Sequence, residues 1–446
     1  MNSKLQQVDD FINTDFLPYA VYDCQRSIPS MVDGMKVSQR KIIHTVLKTL
    51  KEGVDIKVTN LGSATSNETH YKHGEDSIVD TVVGLAQDFA GSNNYPLLEK
   101  EGQFGTAIDN DAASPRYIHV RRSKLLSQMF DQDDLNLVEY QLFDDELIEP
   151  KFFLPKMPLI VINGGFGIGT GYSSNILPRC PKKVKKYMEQ VATGAIIDQS
   201  LLIPHFNGFK GTVERLEKNK FMIKGLLERA GQTTTIIKDL PPFSSFQFEK
   251  YKTRVLLPLL DAKKITGFDN ESTEGNWHIV IHHSRDFGKQ TPEKIANILK
   301  MNQSFTENIT VWGYDNRMKN FGSIEELMNV WMNERFKYLQ DRKTHMLQKM
   351  EDNLKWYTAL MNMIKYWLAN PDILKKKRPE IEDELSSVSS NKAYIKKFLE
   401  SDILSLTQER IDKSQSILDK IVSEQKELHS KTPVDIMMSD LMSLTI

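Results

Sequence analysis

Between Gly322 and Pro371 the chain carries no glycine and no proline. A stretch of that length without a breaker, rich in Leu, Met, Glu and Lys, predicts a single helix over 324–368. Within it Met346, Met350, Leu354, Tyr357, Met361, Ile364 and Leu368 recur at steps of three and four, the spacing of a coiled-coil seam. Asn370-Pro371 breaks the pattern, and a basic patch (Lys375–Arg378) and short helical segments follow. A second long helix then sets Ile411, Ser414, Leu418, Ile421, Gln425 and Leu428 on one line. Two such helices predict an antiparallel hairpin. Periodicity leaves open whether this arm dimerises or packs a core of its own.

A chain of 446 residues exceeds one ordinary core and predicts two to four packed units. Lys+Arg number 58 and Asp+Glu 59, giving a net charge of -1. That balance excludes a basic nucleic-acid coat and an acidic disordered tail. Cys24 and Cys180 are too few for a disulfide framework and lack zinc-site spacing, which fits a reducing cytoplasm. The opening MNSKLQQVDD has no apolar core of a secretory signal, and no run approaches a membrane span. Pro158–Ile162 reads as a buried strand. From Gly164 to Phe321 the texture is strand-like. Strands are expected at Val213–Leu216, Phe221–Leu227, Thr233–Lys238 and His278–Ile281, with a helix over Phe246–Ala262.

The sharp motifs lie upstream. Lys36-Val-Ser-Gln-Arg40-Lys41 opens a helix with Ile42, Ile43, Val46, Leu47 and Leu50 on one face. Lys41, His44, Lys48 and Lys51 line the other, a stripe that suits phosphates, although a solvated face is its ordinary meaning. A second helix follows His73-Gly74-Glu75-Asp76, and the pair resembles a helix-turn-helix layout. Next come the loop Glu101-Gly-Gln-Phe-Gly105 and Arg116-Tyr117. A phenol is a poor nucleophile at neutral pH unless cations stabilise its anion, and Arg116, Arg121, Arg122 and Lys124 are close in sequence. By spacing alone, a surface stacking pair is the ordinary meaning of an arginine–tyrosine dipeptide. Asp109 and Asp111 lack the rest of a calcium loop, no two-magnesium carboxylate set is evident, and no phosphate-cradling lysine motif occurs. Any metal for phosphoryl chemistry is therefore expected from another polypeptide. Asn163-Gly-Gly-Phe-Gly-Ile168-Gly-Thr-Gly171 does not match a dinucleotide fingerprint; an isoleucine on a glycine frame fits a wedge between base steps.

Taken in order, four segments resemble the breakage-reunion subunit of type IIA topoisomerases, the gyrase A family. They are Ser27–Arg40, Tyr71-Lys-His73-Gly74-Glu75, Gly105 with Ala112–Tyr117, and Asn163–Gly171. Length and detail are most similar to its T-even-type phage medium subunits. The resemblance implies that Tyr117 attacks a backbone phosphate to leave a 5′-phosphotyrosyl link, with Arg116 stabilising the transition state. Arg26, Lys36, Arg40, Lys41 and His73 match positions that hold the DNA backbone, and Ile168 matches an intercalating residue. It further implies an α+β multidomain fold: an N-terminal helical arm (1–25), a winged-helix domain (26–155), a tower (156–321), and a coiled coil with a dimer gate (322–446). Cleaving both strands requires a homodimer, while Mg²⁺ and ATP are expected on a partner subunit.

The pattern has departures. Tyr71 stands where gyrases carry histidine, Lys72 fits neither branch of the family, and Lys41 replaces an arginine. Asp76 occupies the position of a drug-contacting serine, so drug sensitivity is not expected. The chain ends at Ile446 without the DNA-wrapping domain of gyrase, which predicts relaxation rather than supercoiling. The alternative is a non-catalytic winged-helix DNA-binding scaffold with coiled-coil dimerisation and a disused tyrosine, which covalent trapping on DNA separates from the cleaving subunit. A tyrosine recombinase needs an arginine–histidine–arginine set before a late tyrosine, which is not found.

Overall fold

The computed structural model describes residues 7–243, 246–401 and 406–446; residues 1–6 of the expected arm lie outside it. The protein is α+β and divides into two units. One takes the chain to Arg335 and returns for Met438–Ile446, and the other is Phe336–Met437.

The first unit opens on α1 (Val8–Phe11), a π turn (Ile12–Phe16) and α2 (Leu17–Ser27). Pro18 lacks an N–H and its ring crowds the carbonyl four residues back, so the helix widens just ahead of it. Helix α3 (Val37–Thr49) buries Ile42, Ile43 and Val46, as its periodicity predicts. It is followed by β1 (Asp55–Lys57), α4 (Val58–Thr69) and α5 (Glu75–Ala86).

Helix α4 corrects the two-helix reading of this segment. Its sequence, VTNLGSATSNET, is poor in helix formers, yet it buries Val58, Leu61, Gly62, Thr65 and Thr69. Gly62 permits close approach to α5, since a Cβ there would stand 2.8 Å from Val79 Cγ2. The hydroxyls of Thr65, Ser66 and Thr69 donate to carbonyls four residues back, which satisfies them inside the packed helix. Strands β2 (Leu98–Glu101) and β3 (His119–Arg122) complete an antiparallel sheet of order β1-β3-β2. Helix α6 (Lys124–Met129) and the hairpin β4 (Tyr140–Phe143)–β5 (Glu146–Pro150) follow.

Pro158–Ile162 is not a strand. It forms one helical turn, α7 (Leu159–Ile162), whose Val161 and Ile162 N–H groups donate to the Pro158 carbonyl. All four residues are buried, so no exposed face was present to reveal a period. The glycine segment forms the hairpin β6 (Gly165–Gly169)–β7 (Tyr172–Ile176), and α8 (Pro181–Thr193) follows.

Beyond it run β8 (Thr212–Glu217), β9 (Lys220–Lys224), β10 (Leu226–Arg229) and β11 (Thr234–Asp239). The strand expected over Phe221–Leu227 is thus two strands in different sheets. The break falls at Gly225, where a Cβ would lie 2.6 Å from the Asp239 carbonyl oxygen. The single helix expected at Phe246–Ala262 is α9 (Phe248–Tyr251), a π turn (Lys252–Leu256) and α10 (Leu257–Asp261), again widened just before a proline, Pro258. Then come β12 (Gly267–Asn270), β13 (Ile279–His282), α11 (Arg285–Gly288), α12 (Pro292–Ile298), β14 (Asn302–Thr306), β15 (Ile309–Trp312) and β16 (Met318–Phe321). The sheets run β10-β11-β13-β12 and β14-β9-β8, with β15–β16 as a hairpin. Tyr251, Leu256, Ile279, Ile281 and Leu299 share the core beneath the larger sheet.

The long helix is α13 (Ile324–Ala369), followed by α14 (Arg378–Ser386), α15 (Lys392–Leu399), α16 (Gln408–Ser430) and α17 (Pro433–Met442). Within the second unit α13 and α16 run antiparallel. Lys343 Nζ donates to the carbonyls of His429 and Lys431, while Met361 and Ile364 share a core with Ile411 and Leu418. Leu368 is exposed, and Leu360 and Met363 are buried instead. That core also takes Leu385, Ile395 and Phe398, so the chain fills much of its own seam.

Candidate nucleic-acid interface

Tyr117 ends the turn that leads into β3 and is 74% exposed. Its N–H donates to the Ser114 carbonyl at 2.9 Å. The preceding loop is tied down by its backbone. The Gln87 amide donates to the carbonyls of Phe104 (2.9 Å) and Asn110 (3.2 Å), and Ala113 N–H donates to the Gln103 carbonyl. Gly105 adopts φ 83°, and a Cβ there would lie 2.4 Å from the Asn110 carbonyl oxygen. Arg116 is exposed, and among the described residues its guanidinium has no carboxylate partner. The other nearby cations do not join it. Arg121 is held by Asp55, Glu99 and Glu101, and Arg122 Nε donates to Ser127 Oγ.

The glycine hairpin has two unlike faces. On one, a Cβ at Gly165, Gly167 or Gly169 would meet Pro29 and Ile160, the Ser27 carbonyl oxygen (2.0 Å), or Cys24 Sγ (3.0 Å). The strand therefore lies directly on the end of α2 and the residues after it, and at Gly167 a side chain would run into backbone. Alternation then forces Phe166 and Ile168 to the opposite face, where Ile168 is 68% exposed. Asp23 accepts from both the N–H and the hydroxyl of Thr170 at 2.8 Å, which fixes the hairpin's turn to α2.

Between these elements a cavity of ≈ 630 Å³ gathers Arg26, Lys36, Lys41, His73 and Ile168. The structure thus brings together five residues named from sequence; Tyr117 and Arg116 do not line this cavity. Burial pulls the Lys36 ammonium below its ordinary pKa, and among the described residues it has no carboxylate partner. The His73 imidazole is held below its usual value by partial desolvation and, second, by the Arg26 charge. Its Nε2 bonds the Tyr22 hydroxyl, and Arg26 sits over the Tyr22 ring.

Two of the residues expected to contact DNA have internal partners. Arg40 is buried in a two-pronged pair with Asp33 (2.7 and 3.1 Å), whose carboxylate also takes the N–H groups of Met35 and Phe153. Lys41 opens on the cavity but is nearly buried, and its ammonium is shared by Glu149 and the Thr69 carbonyl that ends α4. Both are internal braces in this conformation. The basic stripe is also consumed further along: Lys48 pairs with Glu68, and burial keeps His44 below its ordinary pKa. Sequence reasoning missed Tyr22 and Phe143 in the cavity wall, since nothing local marks them as neighbours. Among the described residues no group of three or more His, Cys, Asp or Glu could hold a metal ion, and no helix is long and apolar enough to cross a membrane.

The family model for the A-type subunits of DNA gyrase and topoisomerase IV matches residues 26–443. DNA topoisomerase 2 of Invertebrate iridescent virus 6 is 32% identical over 365 residues, covering 79% of this chain and 31% of that protein. DNA topoisomerase 2 of Saccharomyces cerevisiae is 31% identical over 399 residues, covering 85% and 27%. The chain thus spans about a third or less of the length of these relatives. The crystal structure of the Plasmodium falciparum topoisomerase II DNA-binding, cleavage and re-ligation domain superposes with a TM-score of 0.88 at 24% identity, covering 98% of this chain and 63% of that one.

Proposed function

We propose, for a chain that belongs to the gyrase A family of DNA gyrase and topoisomerase IV, that it is the DNA-cleaving part of an ATP-dependent type II topoisomerase. The Tyr117 oxygen attacks a backbone phosphorus and forms the phosphotyrosyl ester. The 3′ oxygen of the broken strand departs and takes up a proton. Arg116 offsets charge on the phosphoryl oxygens in the transition state. Reversal reseals the strand without consuming ATP, because the ester conserves the phosphodiester bond energy. Two copies supply one tyrosine per strand, and a second duplex passes through the break, relaxing supercoils.

Arg26, Lys36 and His73 hold the backbone, and Ile168 enters between base steps and bends the duplex. Arg40 and Lys41 support that surface from within. In the same reading, residues 26–155 form the winged-helix domain, 156–321 the tower, and 322–446 the coiled coil with its dimer gate. Mg²⁺ is bound mainly by a partner subunit and ATP by that same partner, as the family resemblance implies. Tyr71 before His73-Gly74-Glu75 supports a phage- or eukaryote-type member, and we place it with T-even-type medium subunits, in a host cytoplasm, serving DNA replication.

The observation that carries the proposal is Tyr117: an exposed phenol beside an arginine that has no carboxylate partner among the described residues, on a hydrogen-bonded loop. The test is covalent trapping on supercoiled DNA with Mg²⁺ and the ATPase/metal-binding partner, stopped with denaturant. Wild type should leave protein on 5′ ends, and Tyr117→Phe should leave none. Adducts that persist in Tyr117→Phe move the nucleophile elsewhere. No wild-type adduct despite DNA binding favours a winged-helix scaffold.

A further inference from the structure

We propose that Lys72 contacts a backbone phosphate of duplex DNA, its ammonium set in place by the Phe143 ring. The inference rests on the DNA reading above and adds a residue at which this chain departs from the family pattern. Lys72 Nζ lies 4.6 Å from the centre of the Phe143 ring. The ring is itself fixed: His70 stacks on it with centres 4.4 Å apart and planes 25° apart. His70 ends α4 in the left-handed region, at φ 49°, and its Nε2 lies 3.3 Å from Glu146 Oε2. Glu146 is in turn the cross-strand neighbour of Phe143.

A lysine that only solvates the surface has no use for such a pedestal. Its four-carbon stem samples many rotamers, and holding it costs entropy unless an aromatic face restrains it beforehand. The carboxylate on this hairpin that stands beside the pedestal, Glu146, is turned to His70. Lys72 lines the same cavity as Arg26 and Lys36, and among the described residues none of the three is paired with a carboxylate. Lys41, Lys48, Lys100 and Lys151, elsewhere in this region, each have one. Three unpaired cations around one cavity, with Ile168 on its rim, form a surface for the phosphates of a single duplex.

The test measures affinity of the full 446-residue chain for a labelled duplex across a series of KCl concentrations. Each phosphate contact contributes about 0.9 to the slope of log K against log salt. Lys72→Met should lower that slope by about 0.9 per bound chain and weaken binding equally for unrelated sequences. Lys72→Arg should restore it, and Phe143→Leu should lower affinity in part. Lys420→Met, on α16, should match wild type. A Lys72→Met line parallel to wild type, or a Lys420→Met line shifted as much as that of Lys72→Met, overturns the assignment while the topoisomerase reading stands. A wild-type chain without salt-dependent duplex binding overturns both.

Discussion

The tyrosine loop and the glycine hairpin each present exposed side chains, Tyr117 and Ile168 among them, but their backbones are held mainly by different forces. Around Tyr117 the anchors are hydrogen bonds, chiefly from the Gln87 amide to two loop carbonyls. Under Ile168 the anchor is exclusion: the Ser27 carbonyl oxygen occupies the space a Cβ at Gly167 would need. A lost hydrogen bond is partly replaced by water, whereas two overlapping backbone groups must move apart. Tyr117 therefore sits on an anchor that yields gradually, and Ile168 on one that holds or fails.

Gly167→Ala is the harshest way to break that contrast. It should cost about 1–3 kcal/mol or more through overpacking, and DNA bending should be lost with it. Denaturant unfolding checks the first and a bend assay by end-to-end energy transfer the second; wild-type stability would refute the steric anchor. Gln87→Ala should cost less, about 1 kcal/mol for each hydrogen bond lost. It should slow adduct formation while leaving the bend intact, and an unchanged adduct rate would show that the loop needs no such tie. Ile168→Ala sharpens the contrast from the other side. Stability should stay within about 0.5 kcal/mol because the side chain touches solvent, yet the bend angle should fall. A full bend in this variant removes the wedge.

The smallest effect is with pH. His44 and His205 have pKa values lowered by burial, so the unfolded chain binds protons that the folded one refuses. Stability is then complete above the ordinary histidine value of about 6.5 and declines as pH falls below it. Melting temperatures of wild type and His44→Gln across that range should diverge, with the variant less sensitive. The gap between Gly167→Ala and Gln87→Ala should persist, since neither anchor uses an imidazole.

Cations show a second contrast. Lys36, Arg40, Lys41 and Lys48 are similar in sequence, but the structure sends them to different duties. Arg40 and Lys41 neutralise Asp33 and Glu149 inside the protein, Lys48 meets Glu68, and Lys36 is left facing a cavity. Helical spacing places all four near one another and says nothing about carboxylates 7, 108 or 20 positions away. In sequence Lys72 stands out only as a departure from the family pattern, because its ring partner is on a hairpin far along the chain.

The sequence by itself determined the α+β class, the long breaker-free helix and its antiparallel return, and the buried apolar face of α3. Those properties follow from local periodicity and from where glycine and proline stop a helix. It also carried the motif order that marks Tyr117, Arg116 and Ile168. Only the tertiary structure decided that VTNLGSATSNET is a helix, that Pro158–Ile162 is a turn, and that Phe221–Leu227 divides between sheets. It alone separated cations that brace the interior from cations that face a cavity. In each case the deciding contact joins residues distant in sequence, whether a glycine against a neighbouring backbone or an arginine against a buried carboxylate, and no local pattern encodes that contact.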